Sequence, residues 1–433
     1  MARIRPFAGV HFSSQRGADV SSRIAPPYDV LNEQDRARLQ ARDPHNIVNV
    51  DLPHVPPKSA GPDEVYHKAN INLQAWLSGG VLERDPRPML YPYSQTFEHG
   101  GRTFHRRGLI ALVQLSPFGQ GEVVPHEKTY AGAIEDRMKL MQATGMQLSP
   151  IFGLFSDPKN QINNLLYQNQ SKPFLSGTLD GVKNDLWKVI DAEVENQVID
   201  EMKQKPVYIA DGHHRYTTAL QYQKQIQEQS GGSLPPNHPA NFCMFVLVGM
   251  QDDGLLILPT HRLIGGLKGF DIESFKAAVA GKVEVTELAA PPERMTEVVE
   301  NLAADSTHNF GLYDGRTKRL YQLRIKDPDV LKSLEPGQSE AWRRLEVAVL
   351  QRYLLDEVLQ PKFASKELVK GYTPDPAAIA SQVDGTTYQI ALILRPTPLH
   401  ALEELGKHGE VMPQKSTYFF PKLATGMVMY PLR

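Results

Sequence analysis

Apolar runs and amphipathic stretches alternate along this chain and predict many short strands and helices. The nearly continuous apolar run in RRGLIALVQLSP, Arg106 to Pro117, predicts a strand at the centre of a sheet. NEQDRARLQARDP predicts a short helix that begins at Asn32 and ends before Pro44, and EVYHKANINLQAWLSGG predicts a second helix that stops at Gly79. The alternation of the two patterns predicts a mixed α/β (α+β) fold.

The stretch VYIADGHHRYTTAL concentrates polar groups at one short corner. Its apolar start predicts a strand over residues 207–210, Gly212 allows a sharp turn after Asp211, and helix formers resume from about His213 to Glu228. Further along, the apolar runs FCMFVLVGM and LLILPTHRL flank an Asp-Gly pair. That arrangement predicts a β-hairpin.

The order of these elements predicts four segments in a chain of 433 residues. Residues 1–110 are expected to form an N-terminal region packed on the core, and 111–265 to form the core itself. Residues 266–375, which include DIESFKAAVAGK and PPERMTEVVENLAAD, predict a helix-rich insertion. Residues 376–433 predict a strand, a helix and a strand that complete the core.

Composition and charge exclude several classes of function. The chain is 41% hydrophobic and 22% charged with a formal net charge of −2, which is typical of a globular protein and disfavours nucleic-acid phosphate as a main partner. The single cysteine, Cys243, lies in an apolar run and excludes an internal disulfide. No apolar run is long enough to predict a membrane span. We therefore expect a cytoplasmic protein.

The helix start after Gly212 has the chemistry of an anion site. The first N–H groups of a helix lack intrahelical acceptors, and His213, His214 and Arg215 add donors that suit phosphate oxygens. Asp211 can cap this helix or hold a divalent cation. The alternative interpretation is a simple cap beside two surface histidines. Zinc is disfavoured because adjacent side chains diverge at a helix start and no third ligand follows at a suitable spacing.

Two further stretches carry candidate chemistry. In VVPHEKTYAGAIEDRMKLM, Glu127 follows a strand pattern, and flanking positive charge favours an ionised carboxylate that can accept a proton from an alcohol. In GEVMPQKSTYFFPK, Lys415, Ser416 and Thr417 offer a cation and two hydroxyls to a carboxylate or phosphate. A solvated loop and an exposed strand are the alternative interpretations. The chain contains no P-loop, so any nucleotide is bound without one.

Together these stretches resemble a known family. RPFAGVHF, APPYDVLN, PHEKTYAGAIEDRMKLM, SPIFGLFSD, YIADGHHRYTTAL, LPTHRLI and MPQKSTYFFPKL are similar, in this order, to motifs of the bacterial and archaeal family called domain of unknown function 1015. That family resembles the ParB/sulfiredoxin superfamily. The resemblance implies a ParB/sulfiredoxin-like mixed-sheet core that binds nucleotide at a helix start, with an N-terminal extension and a helical insertion.

Within that superfamily the functional likeness is to the free L-serine kinases, which make O-phosphoserine from ADP or ATP. The likeness implies that the catalytic residues are Glu127, Asp211 and His214, and that Asp211 also binds Mg²⁺. It implies that the nucleotide is bound by Gly212, His213, His214 and Arg215. It implies that the substrate is bound by His126, Lys415, Ser416 and Thr417. The kinases are shorter, and an Arg-His pair of theirs is replaced here by Tyr418 and Phe419. Sulfiredoxin chemistry is excluded because His213 occupies the position of its reactive cysteine.

The sequence therefore predicts a phosphotransferase. Phosphoryl transfer needs an in-line acceptor, neutralised phosphate oxygens and a residue that takes the hydroxyl proton. We expect ADP or ATP as donor, Mg²⁺ as cofactor, L-serine or a similar small molecule as acceptor, and Glu127 as the base. The alternatives are a nucleotide-gated ParB-like binding protein, and a phosphoserine phosphatase or nucleotidase that uses the same site. Nucleic-acid and membrane partners are not expected, and no oligomeric state is predicted.

Overall fold

The computed structural model describes residues 3–129, 131–168, 172–291, 294–302 and 308–433. Two compact units make up the chain. The first unit comprises Met1–Leu256 with Pro421–Arg433, and the second comprises Ile257–Phe420. Both contain helices and strands, which confirms the predicted mixed α/β fold.

The helices of the described residues, in chain order, are α1 (Glu33–Arg42), α2 (Val48–Asp51), α3 (Asp63–Ser78), α4 (Ala131–Thr144), α5 (Gln161–Tyr167), α6 (Ala192–Met202), α7 (His213–Gln229), α8 (Ile272–Ala278), α9 (Met295–Leu302), α10 (Glu340–Arg343), α11 (Glu346–Val349), α12 (Gln360–Phe363), α13 (Ile379–Gln382) and α14 (His400–His408). A π-helical stretch, Leu350–Leu359, joins α11 to α12. Short 3-10 turns cover Ser14–Arg16, Tyr28–Val30, Pro239–Asn241 and Pro376–Ala378.

The strands are β1 (Ile4–Arg5), β2 (Val10–Phe12), β3 (Leu82–Arg84), β4 (Tyr91–His99), β5 (Arg102–Gln114), β6 (Val123–Val124), β7 (Met146–Gln147), β8 (Ile151–Phe155), β9 (Leu175–Leu179), β10 (Val182–Leu186), β11 (Val207–Asp211), β12 (Phe242–Gly249), β13 (Leu256–Leu258), β14 (His261–Gly265), β15 (Val283–Leu288), β16 (Asn309–Asp314), β17 (Arg319–Ile325), β18 (Val369–Thr373), β19 (Ile390–Ile393), β20 (Tyr418–Phe420) and β21 (Tyr430–Pro431).

A large mixed sheet forms the centre of the first unit. Its strands follow the order β6-β11-β8-β12-β5-β4-β10-β9, and β1 pairs with β5. The apolar strand β5 lies inside this sheet between β12 and β4, as its sequence predicts. Buried side chains such as Phe245 on β12 and Tyr216 on α7 pack one face, with ring centroids 6.0 Å apart. This packing fixes α7 against the sheet.

The predicted hairpin after β12 is wrong. Strand β12 pairs antiparallel with β5 along one edge and parallel with β8 along the other. Since a strand has only two edges, β12 cannot also pair with the next strand in the chain. That next segment instead forms β13 and then β14, which pairs with β18 and β19 in the second unit.

Local sequence explains where the predicted helices begin and end. The Asn32 side chain accepts from the Asp35 N–H while the Asp35 side chain accepts from the Asn32 N–H, so α1 starts in a capping box. Helix α3 ends at Gly79, as predicted. Helix α4 packs against α3 and α7 and therefore supports the loop that precedes it.

A second sheet forms the core of the second unit, in the order β15-β17-β16-β19-β14-β18. The segment 266–375, predicted as helix-rich, contributes β15, β16, β17 and β18 to this sheet besides its helices. Alternating sequences such as RLYQLRI fit a half-buried strand, which explains the difference. The helix predicted over 291–305 is present as α9, and positions 292–293 and 303–305 lie outside the described residues. The division into four segments stays a prediction.

No helix in the described part of the chain is both long and apolar enough to cross a membrane.

Replacing Phe245 with Ala should lower the free energy of unfolding by about 3–5 kcal/mol, because it removes a fully buried ring from a central strand and leaves a cavity. Urea denaturation followed by circular dichroism measures the change. The matched control is Ile190→Ala, at a position that is 77% exposed, and it should change stability by less than about 0.5 kcal/mol. Equal effects of the two substitutions would show that the core is assigned incorrectly.

Candidate functional site

Two parallel strands bring distant loops to the same edge of the first sheet. Strand β6 pairs parallel with β11, with Val123 opposite Val207 and Val124 opposite Tyr208. The carboxyl ends of parallel strands lie at one edge of a sheet, so the loop after β6 and the turn after β11 are neighbours. The loop carries His126 and Glu127, and the turn carries the predicted Asp-Gly-His-His-Arg corner.

The turn after β11 depends on Gly212. This residue has a φ of 102°, in the left-handed region that favours glycine, and a Cβ there would lie 3.1 Å from the guanidinium carbon of Arg215. Gly212 is also the residue that precedes α7, and no side chain caps the helix. The interpretation of Asp211 as the helix cap is therefore wrong. Asp211 ends the strand, next to an irregularity in its pairing with β8.

His126 and His213 form a buried pair at this edge. The His126 N–H donates to Nε2 of His213 at 3.1 Å, the His126 Nδ1–H donates to the Ile209 carbonyl at 2.6 Å, and the two rings meet edge to face at 4.6 Å. Burial lowers the pKa of His126, and burial together with the neighbouring His126 lowers that of His213 well below its usual range. Both imidazoles are therefore neutral at neutral pH. His213 is only 6% exposed, so it is not a surface residue.

Glu127 lies beside this pair in the loop after β6. Its Oε1 is 4.0 Å from Nε2 of His126, and its side chain is 22% exposed. A carboxylate in this position is accessible to solvent and lies close to the neutral His126. It can therefore accept a proton from a hydroxyl group that approaches from solvent.

Asp211 is held between two cations. Its Oδ2 accepts from the Lys422 ammonium at 2.8 Å, and its Oδ1 is 3.8 Å from Nη2 of Arg215. Burial alone would raise the pKa of the Asp211 carboxyl, but the charges of Lys422 and Arg215 hold it well below its usual range. Asp211 is consequently ionised and fixed in orientation.

Sequence reasoning missed Lys422. Its backbone is held in place from inside the sheet: the buried Arg106 donates to the Pro421 carbonyl at 2.6 Å, and the Gln95 side chain donates to the Lys422 carbonyl at 3.1 Å. Lys422 is close to the end of the stretch MPQKSTYFFPKL, where it follows a proline. A lone lysine at that position carries no signal that it pairs with an aspartate more than two hundred residues away.

The predicted Mg²⁺ ligand, Asp211, does not fit a resident divalent cation. Each of its carboxylate oxygens faces a positively charged side chain, and Lys422 occupies the position that a metal would need. Within the described residues, no group of three or more histidine, cysteine, aspartate or glutamate side chains is arranged to hold a metal ion.

Arg215 contacts Asp211 and also makes contacts that stabilise the fold. Its guanidinium donates to the Pro150 carbonyl, and it borders a small cavity of about 40 Å³ together with Asp51, Arg137 and Cys243. Arg137 pairs with Asp51 at 3.3 Å and thereby anchors α4 behind the site. Burial raises the pKa of the Cys243 thiol to about 12, so this cysteine is an inert core residue.

Lys415, Ser416 and Thr417 belong to the second unit. The buried Ser416 hydroxyl donates to the Pro413 carbonyl, and Lys415 is exposed with a φ of 58°. Ser416 therefore shapes the loop. The role of the three residues at a substrate stays a prediction.

Comparisons with known proteins identify a family. A family model described as a protein of unknown function, DUF1015, matches residues 4–348. No curated protein matches the chain.

Among solved structures, a mutant free serine kinase in complex with AMP shares 13% identity at a TM-score of 0.32, over 69% of this chain and 84% of that one. A conserved hypothetical protein from Pyrococcus furiosus shares 15% identity at a TM-score of 0.31, over 70% of this chain and 89% of that one. SbnI from Staphylococcus aureus with a C-terminal truncation shares 11% identity at a TM-score of 0.35, over 75% of this chain and 87% of that one. At these scores the likeness carries no argument about function.

Replacing Lys422 with Met should destabilise the protein by about 2 kcal/mol at neutral pH, because it leaves the Asp211 carboxylate without its closest cation. Since the pKa of Asp211 is depressed, the pair stabilises the fold at neutral pH, and this stabilisation is lost as the pH falls through the depressed value. The deficit of the variant should therefore shrink in acid, as measured by urea denaturation over a pH series.

The matched control is Lys203→Met, which breaks an exposed pair with Asp200 and should cost less than about 1 kcal/mol. A deficit for Lys422→Met that does not depend on pH would show that lost packing, and not the ion pair, explains the effect.

Proposed function

We propose that this chain, which belongs to the DUF1015 family of proteins of unknown function, is a phosphotransferase whose chemistry takes place at the sheet edge of Glu127 and Asp211. The observation that carries the proposal is a partly exposed carboxylate beside the buried pair of neutral histidines, His126 and His213, at the edge where α7 starts at a glycine. Phosphoryl transfer asks a protein mainly for positioning and charge, and this edge supplies both.

The start of α7 is the proposed position of the transferring phosphate. The helix has 17 residues, and its N-cap residue, Gly212, has no side chain that could accept a hydrogen bond from the first N–H groups. The N–H groups at a helix start and the positive end of the helix dipole favour phosphate oxygens. Gly212 allows a phosphate to approach closely because it has no side chain. His214, which is partly exposed, is placed to add a further donor.

Glu127 is the proposed general base. As the acceptor hydroxyl attacks phosphorus, a new O–P bond forms, the bond to the donor nucleotide breaks, and the hydroxyl proton passes to the Glu127 carboxylate. Because His126 is neutral, it does not form an ion pair with the Glu127 carboxylate, whose Oε1 lies 4.0 Å from its Nε2. Such a base contributes about 10²- to 10⁴-fold in rate.

Asp211, Arg215 and His213 are positioning residues in this mechanism. Asp211 and Arg215 fix each other and the turn, and the Lys422 ammonium neutralises the carboxylate so that it does not repel an incoming phosphate. His213 holds the loop of Glu127 through the His126 N–H. The base and the helix start are therefore kept at a fixed separation.

The donor and acceptor are proposed from the sequence resemblance to free L-serine kinases: ADP or ATP as donor, and L-serine or a similar hydroxyl compound as acceptor. The second candidate is hydrolysis of a phosphate ester at the same edge, since the Glu127 carboxylate is open to solvent and can activate water as readily as an alcohol. Phosphate release from O-phosphoserine in the absence of nucleotide would favour this second candidate.

Replacing Glu127 with Gln should lower turnover by about 10²- to 10⁴-fold, because the amide cannot take the hydroxyl proton. The melting temperature and the affinity for nucleotide should stay near those of the wild type. Product formation is measured by mass spectrometry, and nucleotide binding by calorimetry.

The matched control is Glu135→Gln, an equivalent change at an exposed position of α4, which should leave turnover unchanged. Full activity of the Glu127→Gln protein would remove Glu127 from the mechanism. Loss of activity in both variants would show that the assay does not report on the base.

A further inference from the structure

Glu127 lies in a short connection whose two ends are held by different parts of the first unit. The connection runs from Val124, the last residue of β6, to Ala131, the first residue of α4. Strand β6 is fixed by its pairing with β11. Because a short connection has few conformations once its ends are fixed, the position of α4 limits where the Glu127 carboxylate can lie.

The residues that hold α4 come from the N-terminal stretch, residues 28–78. The Tyr66 hydroxyl, on α3, donates to Oδ1 of Asp136 on α4 at 2.7 Å. Burial, together with the hydrogen bond to Asp136, raises the pKa of Tyr66, so the hydroxyl keeps its proton and donates it. Gly132 lies one turn earlier on the same face of α4, and a Cβ there would be 2.9 Å from the Lys58 carbonyl oxygen. The first two turns of α4 therefore pack closely against this stretch.

Arg137, the next residue of α4, is held by two further groups of the N-terminal stretch. Its guanidinium donates to the Asp51 carbonyl at 2.7 Å and to Oδ1 of Asp51 at 3.3 Å, and its central carbon lies 3.8 Å from the centroid of the Tyr28 ring. Its Nε also donates to Asp136 at 2.8 Å. All four side chains are buried. A buried cation needs such compensation, and here two carboxylates and an aromatic face fix its geometry.

Asp51 also faces the arginine on the phosphate side of the proposed site. It lines the cavity of about 40 Å³ together with Arg137 and Arg215. Burial raises the pKa of the Asp51 carboxyl, and the charges of Arg137 and Arg215 both oppose this rise. One carboxylate of the N-terminal stretch therefore attracts both the arginine of the helix after Glu127 and the arginine beside Asp211.

We propose that Tyr28, Asp51 and Tyr66 are positioning residues of the phosphotransfer: they hold α4 and thereby fix the Glu127 carboxylate relative to the start of α7. The inference rests on the proposed function, because it takes Glu127 as the base. Each of the three residues acts through α4 and not by contact with the reacting atoms. The motif APPYDVLN, which contains Tyr28, thus gains a role in the reaction.

Replacing Tyr66 with Phe tests the proposal, because it removes one hydroxyl and keeps the ring. We expect kcat to fall about tenfold, since a small displacement of the base weakens the reaction, while the KM values of donor and acceptor stay unchanged. Product formation from ADP or ATP and L-serine is measured by mass spectrometry. A fall in kcat that is matched by a rise in KM would contradict a role through the base.

The matched control is Tyr91→Phe. The Tyr91 hydroxyl donates to the Asp85 carboxylate at 2.6 Å and accepts from the Gly9 N–H at 2.8 Å, just as the Tyr66 hydroxyl donates to a carboxylate and accepts from the Gly61 N–H at 2.9 Å. The two variants should lose similar stability, and only Tyr66→Phe should lose turnover. Equal losses of turnover would show that lower stability, and not the position of α4, explains the effect.

A double variant shows whether Tyr66 acts through Glu127. In the Glu127→Gln background, Tyr66→Phe should cause no further loss of turnover, because the group that it positions is already absent. A further tenfold loss in that background would contradict the assignment.

Hydrogen exchange tests the anchoring of α4 without any turnover. The amide hydrogens of residues 123–129, followed by mass spectrometry of peptides, should exchange faster in Tyr66→Phe than in Tyr91→Phe or the wild type. Unchanged exchange, together with loss of activity in Glu127→Gln, would refute this inference and leave the proposed base in place. Faster exchange, together with full activity of Glu127→Gln, would refute the proposed base, so the two failures are distinguishable.

Discussion

The salt bridge between Asp211 and Lys422 is the constraint on which the candidate site depends. The negative charge of a carboxylate at the carboxyl end of a buried strand needs a neighbouring positive charge. In this chain Lys422, from the segment Pro421–Arg433, supplies that charge to Asp211. The lysine is in turn fixed by Arg106 and Gln95, which reach its backbone from inside the sheet. The segment Pro421–Arg433 is therefore part of the first unit. Lys422 and Arg215 both contact Asp211 and so stabilise the turn at Gly212.

In the proposed reaction, the residues that keep the site in place differ from the residue that reacts. Asp211, Arg215 and His213 each contact other protein groups, so they keep the turn and the adjoining loop in place. Glu127 remains partly open to solvent beside them. In the proposed reaction the Glu127 carboxylate is therefore reachable from solvent, while the charge of Asp211 beside it is already balanced by Lys422.

The local elements of the site were predictable from sequence, and the partners across the fold were not. The strand, the glycine turn and the helix from Val207 to Gln229 follow from local pattern, and the structure confirms them. The pairing of Lys422 with Asp211 is set by the tertiary fold and leaves no local signal. The predicted hairpin fails for the same reason, because β5 and β8 had already taken both edges of β12. The sequence does not show that Gly212 takes the N-cap position in place of Asp211, or that Lys422 and Arg215 face the oxygens of Asp211 that a metal would need.

The most direct test of the central claim is mass spectrometry of the purified protein incubated with Mg²⁺, ADP or ATP, and a panel of hydroxyl-bearing amino acids. Phosphotransfer at the Glu127 edge predicts a phosphorylated product, O-phosphoserine when L-serine is supplied, that forms only when nucleotide and acceptor are both present. Absence of any phosphorylated product across the panel, from a protein that is folded and binds nucleotide, would contradict the account.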